Sequence, residues 1–294
     1  MDSGDDQDAR PDMLTGREPP PVRARRLRRF RRIPMRFVLP NLVTLIALCL
    51  GLSSIRFAAE GRFETATLAI LVAAVLDGLD GRIARALEGT SRFGAELDSL
   101  ADFVDFGVAP ALLLYFWSLH NMTSIGWVAA MIFAIACALR LARFNVMIDD
   151  PNKPVWMSNF FVGMPAPAGA IVVLLPMYLH LSFVEMPNSP AHVPYATAYV
   201  LLVAMLMASR IPHFSGKKIG RVPREWFIPV LFGTAVFLLI LWQFPMEVLI
   251  ALVVIYLGML PLSMRRYAAY VRADQTAAEA AALVPAAGET TTGS

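Results

Sequence analysis

The chain of 294 residues is 57% hydrophobic and 17% charged, carries a formal net charge of +3 and has a mean hydropathy of +0.56. Apolar runs near the ~20 residues that cross a ~30 Å hydrocarbon layer recur along almost its whole length, which excludes a water-soluble globular domain and predicts an integral membrane protein. Cys49 and Cys137 lie inside apolar runs, and His120, His180, His192 and His213 stand singly, so neither a disulfide framework nor a histidine metal motif is indicated.

Residues 1–36 are polar, proline-bearing and arginine-rich, with RARRLRRFRR at 23 to 32. They lack the apolar area to fold alone and read as a disordered basic tail. The apolar run that follows is long and has no clear small-residue cleavage site, which argues against a signal peptide. Beside a first span, the arginines read as a topogenic segment lying on anionic lipid rather than as a nucleic-acid arm. Eight spans follow, at about 38 to 58, 63 to 87, 95 to 118, 124 to 144, 166 to 185, 194 to 209, 226 to 243 and 246 to 264. Runs such as LVTLIALCLGL do not alternate as barrel strands do, so the fold class is an all-α polytopic bundle. With the N-terminus inside, all but Arg56 and Arg62 of the 26 lysines and arginines fall on the cytoplasmic side, which predicts an N-in, C-in topology. Residues 37–266 then form one membrane domain, and the small-residue, low-complexity sequence within 267–294 reads as a disordered cytoplasmic tail.

Residues 77 to 102, DGLDGRIARALEGTSRFGAELDSLAD, interrupt this apolar pattern. An aspartate costs roughly 2.5 to 3.5 kcal/mol at the centre of a membrane helix, so four unpaired ones would be prohibitive. Asp77 and Asp80 are three apart, and Asp98 and Asp102 four apart, so each pair shares a helix face. An antiparallel hairpin turning near Leu87 to Gly94 brings the pairs to one depth. Mg²⁺ or Mn²⁺ would neutralise such an oxygen cluster and leave positions for substrate oxygens, and a two-metal arrangement suits displacement at phosphorus. An EF-hand is excluded, because it needs acids at positions 1, 3 and 5 and glycine at 6, whereas Asp77 is followed by aspartate at 4 and glycine at 5. A proton or cation pathway of a transporter is the competing reading of membrane acids.

The stretch resembles the CDP-alcohol phosphatidyltransferase signature, D-x2-D-G-x2-A-R-x8-G-x3-D-x3-D, at every defining position: Asp77, Asp80, Gly81, Ala84, Arg85, Gly94, Asp98 and Asp102. The resemblance implies a dimeric helical membrane enzyme that displaces CMP from a CDP-linked substrate with divalent metal. It implies that Asp77, Asp80 and Asp98 are metal ligands and that Asp102 helps hold metal and acts as general base. Gly81, Ala84, Arg85 and Gly94 would shape the cytidine diphosphate pocket.

The signature does not name the acceptor. PNLVTLIALCLGL at 40 to 52, SLADFVDFGVAPA at 99 to 111, RLARFN at 140 to 145, FFVGMPAPAGA at 160 to 170 and LMASRIPHFSGKK at 206 to 218 resemble the bacterial membrane-integral phosphatidylserine synthase branch of that family. That branch implies CDP-diacylglycerol and L-serine as substrates, CMP as leaving product and a bacterial inner-membrane enzyme facing the cytoplasm. Glycerol 3-phosphate, inositol phosphate and choline are the alternative acceptors. Arg140 and Arg143, or Arg210, Lys217 and Lys218, are candidates to bind the acceptor carboxylate or a phosphate. Gly163, Pro165 and Pro167 would break the chain where it lines a pocket, with Ser158 and Asn159 as weaker candidates. Asp105 stands where that branch leads one to expect serine, adding a fifth carboxylate. There is no HxKx4D motif, which argues against a phosphohistidine route.

Overall fold

The computed structural model describes residues 35–89, 91–148, 160–182, 191–209, 211–214 and 227–283, all in one compact unit. The basic N-terminal tail, Lys153, Ser158, Asn159 and the stretch holding Arg210, Lys217 and Lys218 lie outside these described residues. Helix occupies most of the described part of each of the eight predicted apolar segments. Among the described residues four stretches are long and apolar enough to cross a membrane: Val38–Ala59, Arg92–Trp117, Leu119–Met147 and Pro245–Tyr270. Val193–Ala208 and Ile228–Gln243 are apolar but shorter. The architecture is that of a helical membrane protein.

Helix α1 (Met35–Ala59) turns through Gly61 into α2 (Phe63–Ala86), and the two pack along each other. The turn is closed by Gly61 N–H donating to the Ala58 carbonyl and Arg62 N–H to that of Phe57, while the Arg62 guanidinium lies 4.7 Å from the Phe57 ring centroid. Glu64, Asp77, Asp80, Arg82 and Arg85 remove α2 from the set of plainly apolar spans.

The third predicted span is not one regular helix. α3 (Arg92–Asp102) passes into a π-helical segment, Phe103–Val108, and then into α4 (Ala109–Trp117). A short 3₁₀ turn at Leu119–Met122 leads to α5 (Thr123–Ile148). α1 is the common neighbour of α2, α3, the π-segment and α4, while α5 packs on the π-segment from the other side. Phe106, Leu113, Leu114 and Phe133 fill the core between them and are essentially inaccessible.

The fifth predicted span is divided into α6 (Ala166–Val173) and α7 (Leu175–Leu181), with Pro176 in the first turn of α7. Proline lacks an N–H and clashes with a preceding turn, so it starts a helix better than it continues one. α8 (Val193–Ala208) packs against α5 and α6. α9 (Phe227–Gln243) is apolar and exposed along almost its whole length from Ile228, a surface that suits hydrocarbon rather than water. α10 (Pro245–Leu283) runs beyond residue 266, where the tail was expected to begin, and alanine-rich TAAEAAAL has the propensity to extend it.

Among the described residues one element is not helical. β1 (Phe160–Val162) and β2 (Pro212–Phe214) form an antiparallel ribbon in which Phe160 faces Phe214, Phe161 faces His213 and Val162 faces Pro212. It ties the segment before α6 to the segment after α8. Gly163 continues the pairing through its N–H to the Ile211 carbonyl at 3.0 Å. Its φ of +80° lies in the left-handed region, and a Cβ there would stand 2.8 Å from the Ser209 carbonyl oxygen and 3.0 Å from that of Met207.

Gly163→Ala is therefore expected to cost about 1 to 3 kcal/mol and lower the thermal unfolding midpoint in detergent by several degrees. Gly233→Ala, with open space around a helical glycine, should leave the midpoint unchanged or raise it. Equal effects of the two substitutions would refute this account of the ribbon.

Candidate active site and metal centre

Two local features set the position of the aspartates. α2 ends at Ala86, and the turn is closed by Gly89 N–H donating to the Ala84 carbonyl. Ser91 then caps α3: its backbone is extended, and its hydroxyl accepts from the Gly94 N–H at 3.0 Å. The helix so begins at Arg92 rather than near 95, with Gly94 in its first turn and Asp98 and Asp102 on following turns.

One carboxylate oxygen each from Asp77, Asp98 and Asp102 can be chosen so that all lie within 4.8 Å of one another. The carboxyl groups of Asp77 and Asp102 approach to hydrogen-bonding distance. Two carboxylates so close repel unless a proton or a cation is shared between them. The donor set is oxygen alone, it is only half-buried, and it converges from two helices. Those are the requirements of a hard divalent cation that keeps open positions, so the residues fit the metal that the signature implies.

Asp80 departs from the simple picture of four acids around one point. Only 3% exposed, it accepts a 2.6 Å hydrogen bond from the Thr44 hydroxyl of α1. Thr44 Oγ1 is also 3.2 Å from the Pro40 carbonyl, but its one proton is better used on the shorter, charged acceptor. Asp80 still lies within electrostatic reach of Asp98 and borders the same pocket.

That pocket, about 180 Å³ and open to the outside, is lined by Asp80, Gly81, Ala84, Arg85, Gly94 and Asp98 from the signature, with Pro40, Asn41 and Thr44 from α1 and Ser91 from the cap. Arg85 Nη1 would stand 3.6 Å from a Cβ at Gly81, so the missing side chain leaves the guanidinium room over that wall. A Cβ at Gly94 would stand 2.8 Å from Asn41 Oδ1 and 3.1 Å from Ser91 Oγ, so glycine there admits the Asn41 side chain. Asn41 and Thr44 are the residues that spacing arguments did not single out. Their available signal was their place in PNLVT, where polar side chains recur one turn apart at the start of an apolar helix.

The two arginines of α5 differ in role. Arg143 Nη1 donates to the carbonyls of Ala208 at 2.9 Å and Ser209 at 3.3 Å, satisfying the last turn of α8. Arg140 is 8% exposed, lies with its guanidinium carbon 5.5 Å from the Phe144 ring centroid, and is within electrostatic reach of Asp102 and Asp77. Arg140 therefore borders the carboxylate cluster, whereas Arg143 braces the ribbon end. Asn145 extends the contact between α5 and α3 by donating to Ser99 Oγ at 2.9 Å.

The sequence profile described as CDP-alcohol phosphatidyltransferase matches residues 37–210. A Mycobacterium leprae protein named CDP-diacylglycerol--serine O-phosphatidyltransferase is 47% identical over 175 residues, covering 60% of this chain and 57% of its own length. A protein of the same name from Mycobacterium bovis is 44% identical over 175 residues, 60% of each chain. The chain thus spans well under two thirds of these mycobacterial relatives. One from Helicobacter pylori strain ATCC 700392 / 26695, again of that name, is 34% identical over 223 residues, covering 75% of this chain and 88% of its own. The profile takes in the whole aspartate signature and the helices that converge it, and the chain belongs to the CDP-alcohol phosphatidyltransferase family.

Proposed function

We propose that this chain transfers the phosphatidyl group of CDP-diacylglycerol to L-serine and releases CMP. The observation that carries the reading is the convergence of Asp77, Asp98 and Asp102 within 4.8 Å beside a pocket walled by the other signature residues. The names of the relatives supply the acceptor. The proposed setting is an eight-span, N-in, C-in homodimer of the bacterial inner membrane with this pocket facing the cytoplasm, which suits a water-soluble acceptor and a lipid donor entering laterally.

Asp77, Asp80, Asp98 and Asp102 would hold two divalent ions, Mg²⁺ or Mn²⁺, which when bound offset the carboxylate repulsion and the charge gathering on the diphosphate. Gly81, Ala84, Arg85 and Gly94 line the cytidine diphosphate pocket, and Arg85 brings the one signature cation to it. Arg140 pairs with the serine carboxylate, for which a planar guanidinium is the best partner. Asp102 accepts the proton of the serine hydroxyl. The serine oxygen then forms a bond to the lipid-side phosphorus as the bond from that phosphorus to the bridging oxygen breaks, and CMP leaves with that oxygen. Phosphatidylserine stays in the membrane.

Purified protein given CDP-diacylglycerol and Mg²⁺ or Mn²⁺ should release CMP with serine, and not with glycerol 3-phosphate, inositol phosphate or choline. Release with another member of that panel would keep the site and refute the acceptor. Chelation should abolish turnover and either ion restore it. Asp102→Asn should lower kcat by about 10² to 10⁴, and an enzyme that kept most of its rate would remove the base from this scheme. A substrate made chiral at the lipid-side phosphorus should emerge inverted, since one displacement inverts and a covalent enzyme intermediate would retain.

A further inference from the structure

The three carboxylates of the close set come from α2 and α3, and each can place one oxygen within 4.8 Å of the others. Asp80 is not among them, although it lies one turn of α2 beyond Asp77 and borders the same pocket as Asp98. It is held instead by α1. Thr44 Oγ1 donates to Asp80 Oδ2 at 2.6 Å, across 36 residues of sequence, and the two residues are 5% and 3% exposed. A bond this short is that of a hydroxyl to a charged acceptor, and burial keeps water from competing for it. The rotation of the Asp80 carboxylate is thereby fixed.

The donor is as constrained as the acceptor. Threonine is β-branched and restricted at χ1 in a helix, and Thr44 Oγ1 sits 3.2 Å from the Pro40 carbonyl one turn back, the usual seat of a helical threonine hydroxyl. Pro40 and Thr44 both line the pocket with Asp80. Asp80 thus meets the pocket in one orientation, set by a helix that brings no acid of its own. A donor that orients a ligating carboxylate in this way is worth about 10- to 100-fold in metal affinity.

We infer that Thr44 is a positioning residue that governs the affinity of one of the two divalent ions, the one that draws on Asp80, and leaves the other unaffected. The inference rests on the proposed two-ion centre. Asp77, Asp98 and Asp102 converge without a bond to Thr44, so an ion held by that set alone is indifferent to the hydroxyl. An ion that needs Asp80 depends on it. The two ions are therefore unequal, and one of them is tuned from the wall of the donor pocket rather than from the acidic helices.

The test is Mn²⁺ binding to the purified full-length protein in detergent, followed by the electron paramagnetic resonance of the free ion. Wild type should bind two ions per chain. Thr44→Val, which keeps the shape and loses the donor, should weaken one of them by about tenfold or more and leave the other within about twofold. Thr44→Ser, which restores a hydroxyl, should return the weakened ion to within about threefold of wild type. In an Asp80→Asn background Thr44→Val should change nothing further, since the pair acts as one unit. An unchanged isotherm for Thr44→Val would overturn the inference, as would an equal weakening of both ions or an additive loss in the Asp80→Asn background. Thr44→Ala is the second variant: if neither it nor Thr44→Val folds, the bond serves the fold and the inference fails. Wild type that binds no Mn²⁺, or a single ion, would refute the two-ion centre itself and the inference with it.

Discussion

Like-charge repulsion among aspartates held in apolar helices governs this structure. In water such a cluster would relax by moving apart, but here its members are fixed by helix turns. Asp77 and Asp102 stand at hydrogen-bonding distance, with Asp98 beside them. Solvation must then come from groups brought to the site, either a bound cation or a protein donor. α1 supplies the donor: Thr44 hydrogen-bonds Asp80, and Gly51 makes room for Asp105. A helix without a single acid thereby becomes the wall on which the acidic helices depend, which explains why α1 is the common neighbour of α2, α3 and the π-segment.

A second constraint acts at the far side of α5. The last carbonyls of a helix need donors, and α8 ends where a membrane domain has few to spare. Arg143 provides one, the Ser209 hydroxyl closes back on the Leu206 carbonyl, and Gly163 brings its backbone within van der Waals range of the same end. The ribbon thus holds α5, α6 and α8 in register. Arg140, one turn earlier on α5, inherits a fixed orientation towards the aspartates from this bracing. Two arginines three residues apart divide their work, one satisfying backbone and one presenting charge.

The signature was readable because its residues are local. Eight positions in 26 consecutive residues depend only on helix period and one turn, so their convergence follows from spacing. The apolar segments were readable for the same reason, and helix occupies most of their described residues. What the sequence hid is long-range. The partnership of Thr44 with Asp80 joins residues 36 apart in the chain, and Arg143 caps a helix 65 residues away. Nothing in RLARFN distinguishes the capping arginine from the buried one. The π-segment was invisible because FVDFGV has an ordinary helical pattern, while its contacts, Asp105 on Gly51 and Gly107 on Cys137, are long-range. The short ribbon was missed because three residues are too few for alternation to show.

This division between local and long-range residues matches a division of labour in the proposed chemistry. Groups that handle the diphosphate are common to any transfer from a CDP-linked donor, and they sit together in the signature on α2 and α3. Groups that distinguish acceptors have to face the attacking hydroxyl from the opposite side. In the proposed scheme that group is Arg140, which α5 brings to the cluster by tertiary packing. Asp105 follows Asp98 and Asp102 along the chain, yet it is buried against Gly51 of α1. A side chain at position 51 would collide with Asp105, less than one turn from Asp102, so a helix with no acid of its own limits what the acidic helix can hold there.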